Sequence, residues 1–210
     1  MWNSINIIDQ FAEDSSDLSS IHDLALSYAL DRNLSSGSCA HRVKSITSLC
    51  DDCAIDRSVL HLIQFRSEAF FNYIKDRIKC VETWVNFSDR AGKPLGLHLD
   101  MDESRFYWDR KKFSNILDYL PIWSCSIFVS PDEISGGGVT ISTALYNDHD
   151  SLSQISPSNL DESHWVKVPY KFNRAVIFDA SYPYLTNPHR SEGYASVLHL
   201  NFWDKELTKF

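Results

Sequence analysis

From residue 80 onward the chain consists of seven short runs of β-branched and aromatic residues, separated by clusters of turn-forming residues. Runs of this length and composition are typical of β-strands. So many of them in the second half of one chain predict a barrel or sandwich rather than alternating strands and helices. The runs are Val81–Phe87, Gly96–Leu99, Ile122–Ser130, Val139–Thr143, Trp165–Val168, Ala175–Phe178 and Ser196–Trp203.

The N-terminal part of the chain, before this β-rich region, follows a different pattern. Apolar residues recur at helical spacing over residues 5–31 and again over about 56–79, with a polar break at 33–38. We therefore expect a helical N-terminal support, residues 1–80, packed against a β core, residues 81–210. The whole length of 210 residues, 43% of them hydrophobic, fits one structural domain.

Composition excludes several partners. The net charge of −8 comes from acids scattered along the chain, and the short basic cluster at residues 110–112 is interpreted as a solvated face, so we expect no nucleic-acid partner. No stretch approaches the roughly 20 apolar residues that span a bilayer. Since the N-terminus lacks the basic region of a signal peptide, we expect a cytoplasmic protein.

The five cysteines are an odd number without a disulfide pattern. Cys50 and Cys53 form a CxxC, and with Cys39 and His41 a zinc site can be drawn. A single CxxC is a weak signal and no second one exists, so free thiols are favoured.

The segment Gly96–Glu103 carries the most informative residues, His98 and Asp100. Residues two apart on a strand project from the same face, so this imidazole and this carboxylate can bind one ion together. A second histidine from a distant strand would complete a two-histidine, one-carboxylate set that leaves coordination positions open and favours iron(II). Asp102 is expected near this site or on the surface.

The motifs that follow occur in an informative order. A turn with three glycines (136–138) precedes a strand, the run Asn173–Asp179 leads into a loop with His189, and the chain closes on Ser196–Trp203. Over about residues 81–204 this succession resembles the 2-oxoglutarate/iron(II)-dependent oxygenase superfamily, near its prolyl-hydroxylase-like and phytanoyl-hydroxylase-like branches.

The resemblance implies a double-stranded β-helix, a jelly-roll and cupin-like core. It also implies an enzyme, a dioxygenase that uses iron(II), 2-oxoglutarate and O₂ to hydroxylate an amino acid, a peptide or a small metabolite. His98 and Asp100 would be the first two iron ligands. The third is expected about six residues after Phe178, where Tyr184 stands. The nearest histidine is His189, which we favour; a Tyr184 ligand and a barrel without a third ligand stay open.

The resemblance further implies an arginine or lysine about ten residues after the distal histidine, to bind the far carboxylate of 2-oxoglutarate. The corresponding residue is His199 when counted from His189 and Tyr194 when counted from Tyr184. Because neither is Arg or Lys, a barrel that acts as a non-catalytic binding module is the alternative function. The polar insertion 144–163 is expected to cover the substrate. The candidate anchors are Arg190, Ser196, Tyr194 and His199, with Arg174 and Arg105 as further sources of charge.

Overall fold

The computed structural model of the chain describes residues 5–65, 76–93, 95–100, 116–131, 133–143 and 162–207. Within these ranges the structure is mainly β, as the strand-like runs predict. The strands and α-helices, in chain order, are β1 Ile5–Asp9, α1 Ser16–Arg32, β2 Ser36–Ser45, α2 Ala54–Phe65, β3 Cys80–Ser88, β4 Trp123–Phe128, β5 Val139–Ser142, β6 Trp165–Val168, β7 Arg174–Asp179, β8 Tyr184–Thr186 and β9 Ala195–Trp203.

The strands form two antiparallel sheets. The large sheet has the order β1-β7-β4-β9-β3-β2, and the small sheet has the order β6-β5-β8. His98 forms an isolated antiparallel bridge with Tyr184, so the segment that carries His98 lies along the free side of β8. The small sheet therefore extends toward the residues that the sequence analysis singles out.

Side-chain alternation along β9 separates two hydrophobic cores. All nine residues of β9 are buried. Leu198 and Leu200 pack with the helices on one face of the large sheet. Val197 points the other way, into a core that includes Phe128 of β4 and Ile141 of the small sheet. Because successive strand residues face opposite sides, the histidine and asparagine at positions 199 and 201 lie on the same inner face as Val197.

The N-terminal segment differs from the prediction in part. α1 agrees with the helical spacing, but residues 5–9 form β1, which pairs with β7, and residues 36–45 form β2, which pairs with β3. Residues of β2 are mostly polar and only Cys39 is buried, so its backbone hydrogen bonds rather than an apolar face define it. The segment before β3 thus supplies two strands of the large sheet as well as helices, and the division at residue 80 stays a prediction.

The second predicted helix begins where expected, and α2 covers its first half. Its predicted continuation over residues 66–75 lies outside the described residues. No helix in the described ranges is both long and apolar enough to cross a bilayer.

An ion cluster joins β1 to β7. The Asp9 carboxylate accepts hydrogen bonds from Arg174 Nε at 2.5 Å and Lys171 Nζ at 2.9 Å. These two hydrogen bonds hold the pKa of Asp9 far below its ordinary value. Because the Asp9 side chain is 43% exposed, solvent screens the interaction.

Asp9→Asn is expected to lower the free energy of unfolding by about 1 kcal/mol at pH 7. Since the pKa of Asp9 is lower in the folded state, its stabilisation is present above the ordinary carboxyl pKa, near 4, and is lost as the pH falls. Urea unfolding at pH 7 and pH 3 measures this, with Asp23→Asn at an exposed position of α1 as the control. A larger difference between wild type and Asp9→Asn at pH 3 than at pH 7 would contradict the assignment.

Candidate functional site

His98 is held in a defined orientation beside Asp100. Its backbone exchanges two hydrogen bonds of 3.0 Å with Tyr184, which fixes this segment along β8. The ring Nδ1 lies 2.7 Å from the Gly96 carbonyl oxygen, and since a carbonyl only accepts, Nδ1 is the donor. In the neutral ring Nε2 then carries a lone pair, and it lies 3.7 Å from Asp100 Oδ1. A cation or a proton between these two atoms would satisfy both of them.

Tyr184 binds the other oxygen of the same carboxylate. Its hydroxyl donates to Asp100 Oδ2 at 3.0 Å. Burial raises the pKa of Asp100, and the charge of His98 and hydrogen bonds from Tyr184 and Asn201 oppose this shift. Burial, together with the charge of Asp100, raises the pKa of Tyr184 well above its ordinary value. Tyr184 is therefore a neutral phenol that orients Asp100.

His199 forms the opposite wall of the site, on β9. Its ring stacks on Trp84 at a centroid distance of 5.2 Å and lies 6.1 Å from the Tyr184 ring. Nδ1 is 3.2 Å from Ser126 Oγ, whereas the buried Nε2 has no hydrogen-bond partner in the structure. Burial, and to a lesser extent the charge of His98, lowers the pKa of His199 to about 3. It is thus a neutral imidazole, and it brings no positive charge for a co-substrate carboxylate near neutral pH.

His189 lies elsewhere. Its Nε2 is 2.9 Å from the Ser88 carbonyl oxygen, and its backbone forms a bridge with Gly136. Tyr184, not His189, is the residue opposite His98. Across the described ranges, no three His, Cys, Asp or Glu side chains gather into a group that could hold a metal ion. The structure therefore brings His98 and Asp100 together and does not bring His189 to them.

The remaining expected anchors point away from this site. Ser196 Oγ is 3.1 Å from His22 Nδ1 on the helix side of the large sheet, and the Tyr194 hydroxyl donates to the Leu34 carbonyl oxygen. Ser196 lies in β9 and Tyr194 directly precedes the strand. Strand alternation places both side chains on the face opposite to that of His199. Of the other expected sources of charge, only Arg190 and Arg174 belong to the described residues. Arg190 is exposed, Arg174 binds Asp9, and Arg105, Asp102 and residues 144–161 of the expected cover lie outside the described residues.

The five cysteines form no disulfide in the structure. Cys50 Sγ contacts Asp56, Arg42 donates to Cys53 Sγ, and His41 pairs with Glu82. Cys50 and Cys53 share Asp56 as a partner, because the Asp56 backbone N–H donates to Cys53 Sγ.

Sequence reasoning missed the polar residues that complete the wall of the site. Asn201 accepts a hydrogen bond of 2.8 Å from Ser124 and lies 3.4 Å from Glu82. The signal was present: His199 and Asn201 are polar residues two apart within the otherwise apolar run Ser196–Trp203. That spacing places both on one strand face.

The sequence matches no protein-family model and no curated protein. Solved structures do match. A prolyl-4-hydroxylase from Pseudomonas putida is 11% identical with a TM-score of 0.60, and the match covers 97% of this chain and 94% of that one. AviO1 from Streptomyces viridochromogenes Tue57 is 14% identical with a TM-score of 0.58, covering 98% of this chain and 92% of that one.

A third match is the epimerase SnoN in complex with Fe³⁺, α-ketoglutarate and nogalamycin RO, with 11% identity and a TM-score of 0.55. It covers 96% of this chain and 79% of that one. At these identities the likeness concerns the fold. The chain has the double-stranded β-helix fold found in 2-oxoglutarate/iron(II) oxygenases, which confirms the fold class expected from the sequence.

Proposed function

We propose that the chain is a mononuclear iron(II) oxygenase of the 2-oxoglutarate-dependent class, most simply a hydroxylase of an amino acid, a peptide or a small metabolite. The observation that carries the proposal is the pairing of His98 Nε2 with Asp100 Oδ1, in a histidine tautomer that leaves Nε2 free to bind a metal. The shared fold supports the same class.

The donor set fits one divalent ion. Adjacent ligands about 2.1 Å from an ion stand about 3 Å apart, close to the observed 3.7 Å between His98 and Asp100. An imidazole nitrogen and a carboxylate oxygen are a donor pair that suits iron(II). Gly96 and Tyr184 hold these two ligands from behind, as outer hydrogen-bond partners do in metal sites.

The third protein ligand is proposed to be Tyr184 or to be absent. The phenol lies beside the metal-facing pair, but in the structure it donates to Asp100. Binding an ion through its oxygen would require that hydrogen bond to break. A metal held by only two side chains would keep more coordination positions open for small molecules and would bind less tightly.

Bound iron(II) would react with O₂, a reaction that protein side chains alone do not carry out. The chain's own part is to hold and shield this centre. Trp84 and His199 form a stacked wall on one side. Tyr184 limits the motion of Asp100 through its hydrogen bond, and Asn201 lowers the pKa of that carboxyl.

The residues that would bind the far carboxylate of 2-oxoglutarate do not include an arginine or lysine of β3, β4 or β9. Within the described strands, the inward-facing positions of β3, β4 and β9 carry no lysine or arginine. The far carboxylate of the co-substrate would have to be bound by neutral donors or by a cation from outside these strands.

A non-catalytic binding module is the second candidate. The Tyr184–Asp100 hydrogen bond favours it, because it satisfies the carboxylate without a metal. A buried carboxylate that accepts hydrogen bonds needs no cation to be tolerated in a barrel.

An anaerobic iron(II) titration, monitored by calorimetry, separates the two functions. We expect wild-type protein to bind one ion and His98→Ala to bind it at least tenfold more weakly, because one of two side-chain donors is lost. His189→Ala is the matched control, since it also removes a buried histidine but one outside the His98–Asp100 pair. It should bind like wild type.

Tyr184→Phe and 2-oxoglutarate refine the same titration. If Tyr184 is a ligand, Tyr184→Phe weakens iron(II) binding as His98→Ala does; if it only orients Asp100, the change stays small. With 2-oxoglutarate present, a charge-transfer absorbance band would report chelation of the metal. Absence of iron(II) binding in wild type would reject the oxygenase in favour of the binding module.

A further inference from the structure

A cavity of about 220 Å³ is lined in part by residues of β8 and β9, the strands that carry Tyr184 and His199. Val197 lines it two residues before His199 on β9, and Thr186 lines it two residues after Tyr184 on β8. Two residues of a strand span about 7 Å. The cavity is therefore close to the proposed metal site.

Two buried polar atoms belong to residues of this cavity and lack partners. Asn86 Nδ2 and His189 Nδ1 are both buried, and neither has a hydrogen-bond partner in the structure. The His189 side chain is firmly placed, because the residue is only 5% exposed and its Nε2 lies 2.9 Å from the Ser88 carbonyl oxygen. Leaving buried donors and acceptors unpaired costs free energy, so such atoms call for a partner that the protein itself does not supply.

The two atoms have different requirements. Asn86 Nδ2 carries hydrogens and can only donate. His189 must donate through Nε2 to the Ser88 carbonyl, so Nδ1 of the neutral ring accepts. Both are satisfied when a ligand presents an acceptor to Asn86 and either the ligand or a water molecule bound with it donates to His189.

The charge of the lining selects among such molecules. Lys93 contributes an ammonium group, and no aspartate or glutamate is found among the described residues that line the cavity. In a chain with a net charge of −8 this is an unusual combination. The small side chain of Ala195 leaves room on the inner face at the start of β9.

We propose that this cavity binds the carboxylate of a small organic acid, with Asn86 and Lys93 as its hydrogen-bond donors. The carboxylate accepts from Asn86 Nδ2 in the interior and from Lys93 Nζ at the rim. A water molecule, or a hydroxyl or amino group where the acid carries one, donates to His189 Nδ1. Binding at this cavity does not depend on a metal. That the same acid reaches toward His98, as a co-substrate or substrate would, rests on the proposed function.

The test is binding of glutarate to metal-free protein in EDTA, measured by ligand-observed NMR and calorimetry. Glutarate has carboxylates but no keto group, so chelation does not contribute. Asn86→Leu should weaken binding about tenfold, because a hydrogen bond to a charged group is lost while the volume is kept. Lys93→Gln should weaken it about threefold, because its charge is exposed to solvent.

Lys167→Gln is the matched control, since it removes an exposed lysine from β6 that does not line the cavity. It should bind glutarate like wild type, and so should His98→Ala. If wild type does not bind glutarate, or if Asn86→Leu and Lys93→Gln both bind it like wild type, the proposal is overturned. Should Asn86→Leu fail to fold, Lys93→Gln at its exposed position still decides.

Loss of glutarate binding in His98→Ala, with Lys93→Gln unaffected, would assign the acid to the His98 site and also overturn the proposal. Failure of the iron(II) titration, in contrast, leaves glutarate binding unchanged. The two proposals can therefore fail separately.

Discussion

Replacing Gly138 with alanine is expected to destabilise the fold by about 3–5 kcal/mol, because it combines backbone strain with overpacking. Gly138 has a φ of +93°, which L side chains rarely adopt. A Cβ atom there would overlap the Val168 carbonyl oxygen and lie 2.7 Å from the Tyr170 backbone nitrogen. Both contacts are with backbone, so the turn could accept the methyl group only by moving away from the end of β6.

Gly193→Ala separates strain from overpacking. Gly193 has a similar φ of +89°, but no atom lies within 4 Å of the position that an added methyl group would occupy. Alanine there should cost only about 1 kcal/mol. Urea unfolding of wild type and both variants measures the difference. Equal destabilisation by the two substitutions would show that close backbone approach at Gly138 is not the cause.

His199 is expected to make the fold sensitive to mild acid. The unfolded chain binds a proton at His199 near the ordinary histidine pKa of about 6.5, whereas burial lowers the pKa in the folded state to about 3. Between these values the unfolded state binds more protons, so the free energy of unfolding falls as the pH falls. From pH 7 to pH 4 this one residue accounts for a loss of about 3 kcal/mol.

His199→Gln removes the titrating group and keeps an amide that can bond Ser126. Its free energy of unfolding should fall by about 3 kcal/mol less than that of wild type between pH 7 and pH 4, as measured by urea unfolding at each pH. His164→Gln, at an exposed position, should follow the wild-type pH dependence. An unchanged pH dependence in His199→Gln would mean that His199 is readily protonated in the folded state.

The strand pattern after residue 80 was enough to predict a barrel or sandwich, because alternating and β-rich runs show which face of a sheet is buried. The double-stranded β-helix followed from the resemblance that the order of the motifs carries. The segment before residue 80 shows where the strand pattern fails. β2 carries mostly polar residues, with only Cys39 buried, and is defined by its backbone hydrogen bonds to β3. Backbone hydrogen bonds leave no alternation of apolar residues in the sequence. β1 is a short strand that lies next to β7, from which it is separated by most of the chain.

The candidate site was predictable in part for the same reason. Spacing alone pairs His98 with Asp100, since both are local on one strand-like segment. That Tyr184 lies opposite His98 depends on the register between this segment and β8. Register depends on loop lengths and so on residues far apart in the sequence. Among the expected anchors on β9, strand alternation distinguishes His199, which faces inward, from Ser196, which faces the helices. Assigning alternate residues of the run Ser196–Trp203 to opposite faces is enough to place His199 and Ser196 on different sides of the sheet.

The position of β9 has a consequence for how the chain folds. Residues 195–203 come after every other strand of the large sheet in sequence, yet β9 lies inside it, hydrogen-bonded to both β3 and β4. β3 and β4 are thus joined in the sheet through a strand that follows both of them at a long distance along the chain. Such non-local pairing loses the entropy of closing long loops before the strand contacts stabilise the chain, and this slows folding. During synthesis, the two halves of the sheet would wait unpaired at these edges until β9 leaves the ribosome.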